Sequence, residues 1–319
     1  MDAIRAEEFL ATVIRPHAFP LRQLLRVDVA HFGQRIALER ALASRMREVE
    51  VGYRWGPVWS TAWFRVRGTL SRAFRGHRTL LRFSSGTEAC VWVDGAPFAG
   101  LDPYHDTAPL VPTDWQSRTR ARGGERVDVW IEAACNLPLG ATTFWWDQPE
   151  QRARWSEAKP GRVEAAEAVA IDEEVWQFCE RFDWLRRQLF SGAESSPRTH
   201  DLARGLAAVI RAIPAGKASR ASILAQRSAL DRLLRGAGEA ANETTCVAIG
   251  HAHIDTAWLW RIGETRRKCL RTFATALRNI ERFDHFNFLC SQAQQYQFVK
   301  EESPALFAGI RKAVAEGRW

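Results

Sequence analysis

A block running from Val51 to about residue 148 consists of short segments in which apolar and polar residues alternate. Examples are STAWFRVRGTL, TLLRFSS, ACVWVDGAPF and RVDVWIEAAC, and this two-residue period is typical of strands. The Asp94–Gly95 pair, between two apolar runs, predicts a tight hairpin. Eight of the 14 tryptophans lie between Trp55 and Trp146. The block therefore predicts a β-sandwich.

Helical patterns flank this block on both sides. Apolar residues recur every three or four positions in VDVAHFGQRIALERALASRMREVE, so we predict a helical segment over residues 1–50. VEAAEAVAIDEEVWQFCERFDWLRRQLF and ASRASILAQRSALDRLLRG have the same period and predict a second helical region over residues 151–240. GAGEAANET (236–244) has the composition of a linker.

The C-terminal residues predict a strand, a helix and a second strand. TCVAI (245–249) and FNFLC (286–290) are short apolar runs of the kind found in parallel strands buried on both faces. Between them, ETRRKCLRTFATALRNIERF has an apolar stripe at helical spacing. Ser303 and Pro304 suit the N-cap and first position of a further helix. A βαβ unit of this kind opens a parallel α/β domain.

Composition limits the class of protein. Apolar residues make up 46% of the chain and charged residues 26%, and no run approaches the roughly 20 apolar residues of a membrane span. The net charge is +8, but the arginines are interspersed with acids, which argues against nucleic-acid binding. The six cysteines show no CxxC spacing, and the charged N-terminus lacks the pattern of a secretory signal. We expect reduced, buried thiols and a cytoplasmic protein.

A polar loop, GHAHIDTAWLW, lies between the first predicted strand and the predicted helix. His253 and Asp255 are two positions apart, so in extended backbone their side chains leave the same face and can converge on one cation, at about 2.0–2.2 Å for zinc. His251 shares this parity and fits either a further ligand or a residue that orients one. Two ligands do not complete a site, so others must come from elsewhere. A hydrogen-bond network or a helix N-cap would use the same residues without a metal.

Trp258 and Trp260 follow directly. Aromatic residues just before a helix are more often part of a core. An indole face beside a metal can also pack against the C–H groups of a sugar ring, and the spacing alone leaves both interpretations open.

The run GHAHIDTAWLW…ET.RKC.RTF.TAL, followed by FLCSQAQQYQFVKE and P.LF..I..AV.EGRW, resembles glycoside hydrolase family 38, in particular its cytosolic (class II) type of α-mannosidase. VGYRWGPVWSTAWFRV, VWVDG and IEAACNLPLG resemble the accessory β-domain of that subgroup. The resemblance spans most of the chain and is tightest over residues 246–319. It implies a retaining α-mannosidase that hydrolyses terminal α-D-mannosyl residues of oligosaccharides, and homo-oligomeric full-length relatives.

The resemblance also implies roles for individual residues. His253 and Asp255 match two ligands of a divalent metal, zinc or alternatively cobalt, which binds the sugar hydroxyls. Trp258 matches the aromatic residue that packs on the bound mannose, and His251 is better assigned outside the ligand set, where it would orient a ligand. Arg261 stands where many relatives carry proline. The catalytic nucleophile and the acid/base are expected beyond Trp319, so we expect this chain to be inactive alone.

These inferences combine into a multidomain α+β fold with four parts. They are an N-terminal helical segment (1–50), a β-sandwich, galactose-binding-like accessory domain (51–150), a helical linker region (151–240) and the truncated start of a β/α-barrel catalytic domain (241–319). Two alternatives remain. One is a carbohydrate-binding or structural module in which the Trp-rich block acts. The other is a metal-dependent amidohydrolase or polysaccharide deacetylase, against which the SQAQQY and EGRW motifs argue.

Overall fold

The computed structural model describes two compact units. The described residues are 3–110, 120–136, 153–155, 157–191, 197–235 and 247–319. One unit comprises Met1–Arg22 and Val169–Cys246, and the other comprises Gln23–Ala168 and Val247–Trp319. The second unit contains both the predicted sandwich and the predicted metal loop.

The strands are short, and most belong to the second unit. In chain order they are β1 (Leu21–Leu24), β2 (Arg26–Phe32), β3 (Arg47–Val49), β4 (Arg54–Trp55), β5 (Thr61–Thr69), β6 (Arg78–Ser84), β7 (Ala89–Val93), β8 (Ala96–Leu101), β9 (Thr107–Pro109), β10 (Arg126–Ala134), β11 (Gly161–Arg162), β12 (Ala165–Ile171), β13 (Gly250–His251) and β14 (Phe288–Leu289).

The helices lie at the start of the chain and after β12, apart from one short helix between β2 and β3. They are α1 (Ala3–Phe9), α2 (Leu38–Leu42), α3 (Glu173–Ser191), α4 (Pro197–Ala212), α5 (Arg220–Leu224), α6 (Arg227–Arg235), α7 (Ile262–Arg282), α8 (Ala293–Glu302) and α9 (Pro304–Ala315). No helix among the described residues is both long and apolar enough to cross a membrane.

Two sheets form the predicted sandwich. One has the order β3-β2-β5-β10-β7-β8 and the other the order β1-β12-β6-β9. Phe64 of β5 and Phe83 of β6 are both fully buried, with ring centroids 5.2 Å apart, so aromatic side chains fill the space between the sheets. The predicted hairpin is confirmed: β7 and β8 pair around Asp94 and Gly95, both with positive φ, as a type I′ turn requires.

The predicted helical segment over residues 1–50 is wrong over much of its length. Residues 26–32 form β2, which pairs with β5 and β3, and residues 21–24 form β1. In β2, Val27 and Val29 are buried, and Asp28 between them is paired with Arg67. The same residues fit a helical period, but β-branched side chains and cross-strand pairing favour the strand. The sandwich therefore begins well before residue 51.

The predicted helix beginning at residue 163 is also wrong in its first part. Residues 165–171, AAEAVAI, form β12 rather than the first turns of a helix. Alanine favours helices, yet all seven residues are buried between neighbouring strands, and this tertiary environment outweighs local propensity. The helix α3 begins only at Glu173, after Asp172 accepts hydrogen bonds from the backbone N–H groups of Glu174 and Val175.

Helices form the first unit around an apolar core. Phe9 of α1 and Phe182 of α3 have ring centroids 5.6 Å apart, and Leu206 of α4 and Leu230 of α6 are fully buried in the same cluster. The helical prediction for residues 173–235 is therefore confirmed for the described parts of that range.

The predicted βαβ unit is present at the end of the chain. Strands β13 and β14 are parallel, with Gly250 opposite Phe288, and α7 connects them. The predicted stripe on α7 is buried, and Ser303 caps α9 with Pro304 at its first position. The strand predicted over 245–249 is displaced. Residues 245 and 246 lie outside the described residues, and Val247 and Ile249 are 79% and 53% exposed rather than buried.

The helix α7 packs closely on the sandwich within the second unit. The backbone N–H of Gly100 in β8 donates to Thr275 Oγ1 at 2.8 Å. A Cβ at Gly100 would lie 3.0 Å from that oxygen, so the absence of a side chain permits the close approach. The helix that follows the predicted metal loop is therefore attached directly to the β-domain.

Candidate functional site

The predicted ligands lie on the loop between β13 and α7. His253 Nε2 and Asp255 Oδ1 are 3.2 Å apart, and their side chains are 71% and 40% exposed. His251 lies in β13, and its residue is exposed. Gly250 allows the strand to begin here, because a Cβ would lie 2.6 Å from the ring of Phe286.

The pair has a separation that suits a metal ion. Two ligands about 2.0–2.2 Å from a zinc ion, in a roughly tetrahedral arrangement, lie about 3.3 Å from each other. An imidazole nitrogen and a carboxylate oxygen are donors that zinc accepts, and both are open to solvent on one side. Across the described ranges, no three or more His, Cys, Asp or Glu side chains are grouped closely enough to hold a metal. The same 3.2 Å is a hydrogen-bond distance between the two side chains, so the assignment of His253 and Asp255 as ligands stays a prediction.

The tryptophans of the loop occupy different environments. Trp258 is 54% exposed, so the core interpretation does not apply to it. Trp260 meets it edge-on, with ring centroids 5.5 Å apart, and donates its indole N–H to Thr265 Oγ1 at 2.9 Å. An indole that is held at its edge and open on part of its surface can receive an apolar ligand face.

Thr265, in the first turns of α7, holds the loop in shape. Its fully buried hydroxyl accepts hydrogen bonds from the N–H groups of Ala257 and Trp260 and donates to the backbone carbonyl of Asp255 at 3.1 Å. Ala257 has a φ of 55°, a left-handed conformation that costs a non-glycine residue about 1 kcal/mol. The hydroxyl thus stabilises a turn that the backbone alone disfavours.

The residues of the SQAQQY motif support the same loop from α8. The buried side chain of Gln295 donates to the backbone carbonyl of Ile254 and to Gln292 Oε1. Thr256 donates to the same Gln292 oxygen at 3.3 Å. The motif therefore has a structural function beside the predicted ligands.

The EGRW motif is also structural. Arg318 donates to the carbonyls of Ile280, Phe283 and Phe286, where α7 ends. Trp319 Nε1 donates to the hydroxyl of Tyr296 at 2.7 Å, and that hydroxyl donates to the carbonyl of Cys290. These contacts join the end of α7, β14 and α8.

A buried network of ion pairs joins α7 to the sandwich, and sequence reasoning missed it. Five carboxylates and five basic groups take part, and those around Glu302 are partly exposed: Glu88, Glu132, Glu264, Glu301, Glu302, Arg35, Arg266, Arg267, Lys268 and Arg271. Glu132 lies 3.0 Å from Arg267, and Glu88 lies 2.6 Å from Lys268. Charges balance within the network, which offsets part of the cost of removing them from water.

The network and its burial also shift the pKa values of two of its basic side chains, Lys268 and Arg271. Burial, with the nearby Arg271, lowers the pKa of Lys268. The pKa of Arg271 is raised, because Glu88 and Glu264 outweigh the opposing effect of burial. A sequence signal for this cluster existed. Residues 264, 267, 268 and 271 recur at helical spacing and place four charges on one face of α7, but such a face is usually solvated.

Comparison with known proteins supports the resemblance. Residues 20–159 match the family described as alpha-mannosidase, jelly roll domain, and residues 243–319 match the glycosyl hydrolases family 38 N-terminal domain. Alpha-mannosidase 2C1 of Homo sapiens is 30% identical over 90% of this chain, and its Mus musculus counterpart is 29% identical over 90%. Residues 243–319 thus match family 38 and residues 20–159 match an α-mannosidase domain. The chain spans about a quarter (26%) of the length of each of these two relatives.

Among solved structures, the likeness is weak. A beta-glucuronidase of Faecalibacterium prausnitzii covers 47% of this chain and 31% of its own, with 14% identity and a TM-score of 0.29. That score is too low to support an argument about fold or function. The similarity to family 38 α-mannosidases therefore depends on the two sequence regions, which correspond to the sandwich and to the β13–α7–β14 unit.

Proposed function

We propose that this chain carries part of the active site of a retaining α-mannosidase, which hydrolyses terminal α-D-mannosyl residues of oligosaccharides. The observation that carries the proposal is the convergence of His253 and Asp255 within the region that matches the family 38 N-terminal domain. The names of the human and mouse relatives support the same substrate class.

The proposal assigns His253 Nε2 and Asp255 Oδ1 as ligands of a divalent cation, with zinc preferred and cobalt the alternative. When bound, such an ion would supply a positive centre for two adjacent hydroxyls of the sugar. His251, next to the pair in the chain, orients the ligands rather than joining them. The donor separation of 3.2 Å supports this assignment.

Trp258 is the proposed sugar platform. Its exposed indole can pack on the apolar face of a mannose ring, while the T-shaped contact with Trp260 limits its tilt. The two side chains together would orient the sugar above the metal pair.

Retention of anomeric configuration requires two carboxyl groups, one as nucleophile and one as acid/base. The proposal places both outside the 319 residues and assigns this chain the first ligands and the sugar platform. The protein is proposed to work in the cytoplasm and to assemble with further copies. Cys90, Cys135, Cys179, Cys269 and Cys290 are free and buried, in keeping with a reducing compartment, and Cys246 lies outside the described residues.

The sandwich does not favour the alternative of a carbohydrate-binding module. Trp55 and Trp63 are 1% and 0% exposed, so these tryptophans fill the core of the β-domain rather than present a binding face. Of the other tryptophans in this block, Trp59, Trp92 and Trp130 are half-buried, and Trp115, Trp145 and Trp146 lie outside the described residues.

A fusion protein tests the proposal. This chain is joined to the part of the human relative that follows the matched region, and hydrolysis of p-nitrophenyl α-mannoside is measured. The fusion should hydrolyse the substrate and release the α-anomer first, and His253→Ala should abolish turnover. His285→Ala, which changes an exposed histidine at the opposite end of the strand pair, should retain activity. Equal activity in all three proteins would contradict the proposal.

A further inference from the structure

The loop that carries His253 and Asp255 depends on a single buried hydroxyl. Thr265 Oγ1 is bonded to Ala257 N at 2.8 Å, to Trp260 Nε1 at 2.9 Å and to Asp255 O at 3.1 Å. The Thr265 hydroxyl oxygen therefore orients the backbone of Asp255, a proposed ligand, and the turn at Ala257. It also orients Trp260, which contacts the proposed sugar platform Trp258.

The same loop is linked to the sandwich through Trp260. The ammonium group of Lys268, one turn further along α7, lies 4.5 Å from the centroid of the Trp260 ring. Lys268 Nζ is in turn 2.6 Å from Glu88 Oε2, on the segment that leads into β7. Both side chains are nearly buried, at 8% and 12% exposure, so the contact is held away from water.

Arg271 and Asn136 fix the position of the Glu88 carboxylate. Arg271 pairs with the same Glu88 oxygen, and Asn136 Nδ2 donates to it at 2.6 Å. Asn136 Nδ2 also donates to Glu264 in the first turn of α7. The carboxylate that meets Lys268 is thus held by groups from both the sandwich and the helix.

We propose that Thr265 is a positioning residue for the metal pair, and that Glu88 of the β-domain acts on the same loop through Lys268 and Trp260. The β-domain then helps to set the shape of the proposed metal loop. This inference rests on the proposed function, because Thr265 and Glu88 are proposed to hold the loop in the conformation in which His253 and Asp255 bind the metal. Gln295 holds Ile254 independently, so loss of one support should loosen the loop without unfolding it.

Hydrogen exchange of the metal-free 319-residue chain tests the Thr265 part. In Thr265→Val, which keeps the size and loses the hydroxyl, the amide of Ala257 should exchange about tenfold faster. Thr265→Ser restores the hydroxyl and should return the rate to that of the wild type. Mass spectrometry of peptides covering residues 250–262, with thermal unfolding as a check on the fold, provides the readout. An unchanged rate in Thr265→Val would overturn the proposal.

Lys268→Met tests the link to the sandwich, since it keeps the apolar stem and removes the charge. The same peptides should exchange faster, and the Zn²⁺ affinity of the fusion protein that carries this variant should fall about tenfold. Lys300→Met is the matched control, because Lys300 lies 6.0 Å from the Phe307 ring in the same unit, away from the loop. Its exchange and Zn²⁺ affinity should remain at wild-type values. Equal behaviour of the two lysine variants would overturn the role given to Glu88.

The two readouts separate this proposal from the proposed function. If the wild-type fusion protein binds no Zn²⁺ but Thr265→Val and Lys268→Met still accelerate exchange in the 319-residue chain, the metal assignment fails and the positioning role of Thr265 stands. If Zn²⁺ binds and depends on His253 while neither variant alters exchange or affinity, the metal assignment stands and the positioning proposal fails.

Discussion

Glu132 is an acidic residue on β10, in the interior of the six-stranded sheet, and its side chain is 2% exposed. Its carboxylate is 3.0 Å from Arg267 Nε and 3.2 Å from Arg35 Nε. Two guanidinium groups thus share one carboxylate, and each also pairs with a second one, Arg267 with Glu264 and Arg35 with Glu302. Removing one partner of a buried pair costs more than the pair contributes, since the remaining charge stays away from water.

Glu132→Gln should therefore destabilise the protein strongly. The amide keeps the shape of the carboxylate but leaves Arg267 and Arg35 each with one carboxylate in place of two, at a cost of about 1–3 kcal/mol in the free energy of unfolding. Guanidinium chloride unfolding followed by circular dichroism measures the change.

The control is Asp128→Asn on the same strand. Asp128 also forms a two-fold pair with an arginine, Arg65, at 2.8 and 2.7 Å, but the two side chains are 27% and 33% exposed. Exposed pairs contribute about 0–1 kcal/mol, so this variant should lose little stability. Equal losses in both variants would show that burial does not set the strength of the Glu132 pairs.

At the scale of elements, α7 is the structural centre of the C-terminal region. It follows the predicted metal loop, packs on β8 and ends beside β14. Arg318 lies where the helix ends and donates to carbonyls that the last turn leaves without helical partners. The EGRW motif, part of the resemblance to family 38, thus stabilises a helix C-terminus.

Arg318→Met should loosen the end of α7. Carbonyls of Ile280, Phe283 and Phe286 lose a charged donor, which should lower the free energy of unfolding by about 1–3 kcal/mol. Arg311→Met, an exposed arginine on α9, should change it by less than about 0.5 kcal/mol. Urea unfolding of the three proteins measures both effects, and identical midpoints would contradict the role given to Arg318.

The elements also show how far sequence reasoning reaches. The stripe on α7, the cap of α9 and the Asp94–Gly95 hairpin were predictable because each depends on local spacing. The strands β2 and β12 were not, because their residues satisfy a helical period and only pairing with distant strands decides their state.

The candidate site divides in the same way. His253 and Asp255 could be identified from alternate positions in one loop, but Thr265 and Lys268 could not be identified as supports. Their function depends on contacts with residues far away in the sequence, such as the contact between Lys268 and Glu88, and a sequence carries no distance between them.

At the scale of the whole molecule, buried thiols occur in both units. Burial raises the pKa of Cys179 in the first unit to about 12, and burial raises the pKa of Cys90, Cys135 and Cys269 in the second unit to about 12 as well. In the unfolded chain these groups ionise near pH 9.0. Between these two pH values, the unfolded state has released protons that the folded state retains.

The protein should therefore lose stability as the pH rises above 9. A group with a raised pKa contributes stability that is complete below its unfolded pKa and is lost above it, at roughly 1.4 kcal/mol per pH unit for each thiol. Unfolding in guanidinium chloride at pH 8 and pH 10, with a reductant present, measures the loss. Between these two pH values, Cys90→Ala should lose less stability than the wild type, and the difference should be about the loss that one thiol contributes. The same loss in both proteins would mean that Cys90 ionises equally in the two states.

We propose that the loop after β13 contributes His253 and Asp255 to a metal site. Because two ligands do not complete a site, calorimetric titration with Zn²⁺ of the metal-free fusion protein, which adds the part of the human relative that follows the matched region, tests the proposal most directly. The wild-type fusion should bind Zn²⁺, His253→Ala and Asp255→Asn should each lose this binding, and His285→Ala and Asp284→Asn, which change two other exposed residues, should keep it. Zn²⁺ binding of equal affinity in all five proteins, or no binding by the wild type, would contradict it.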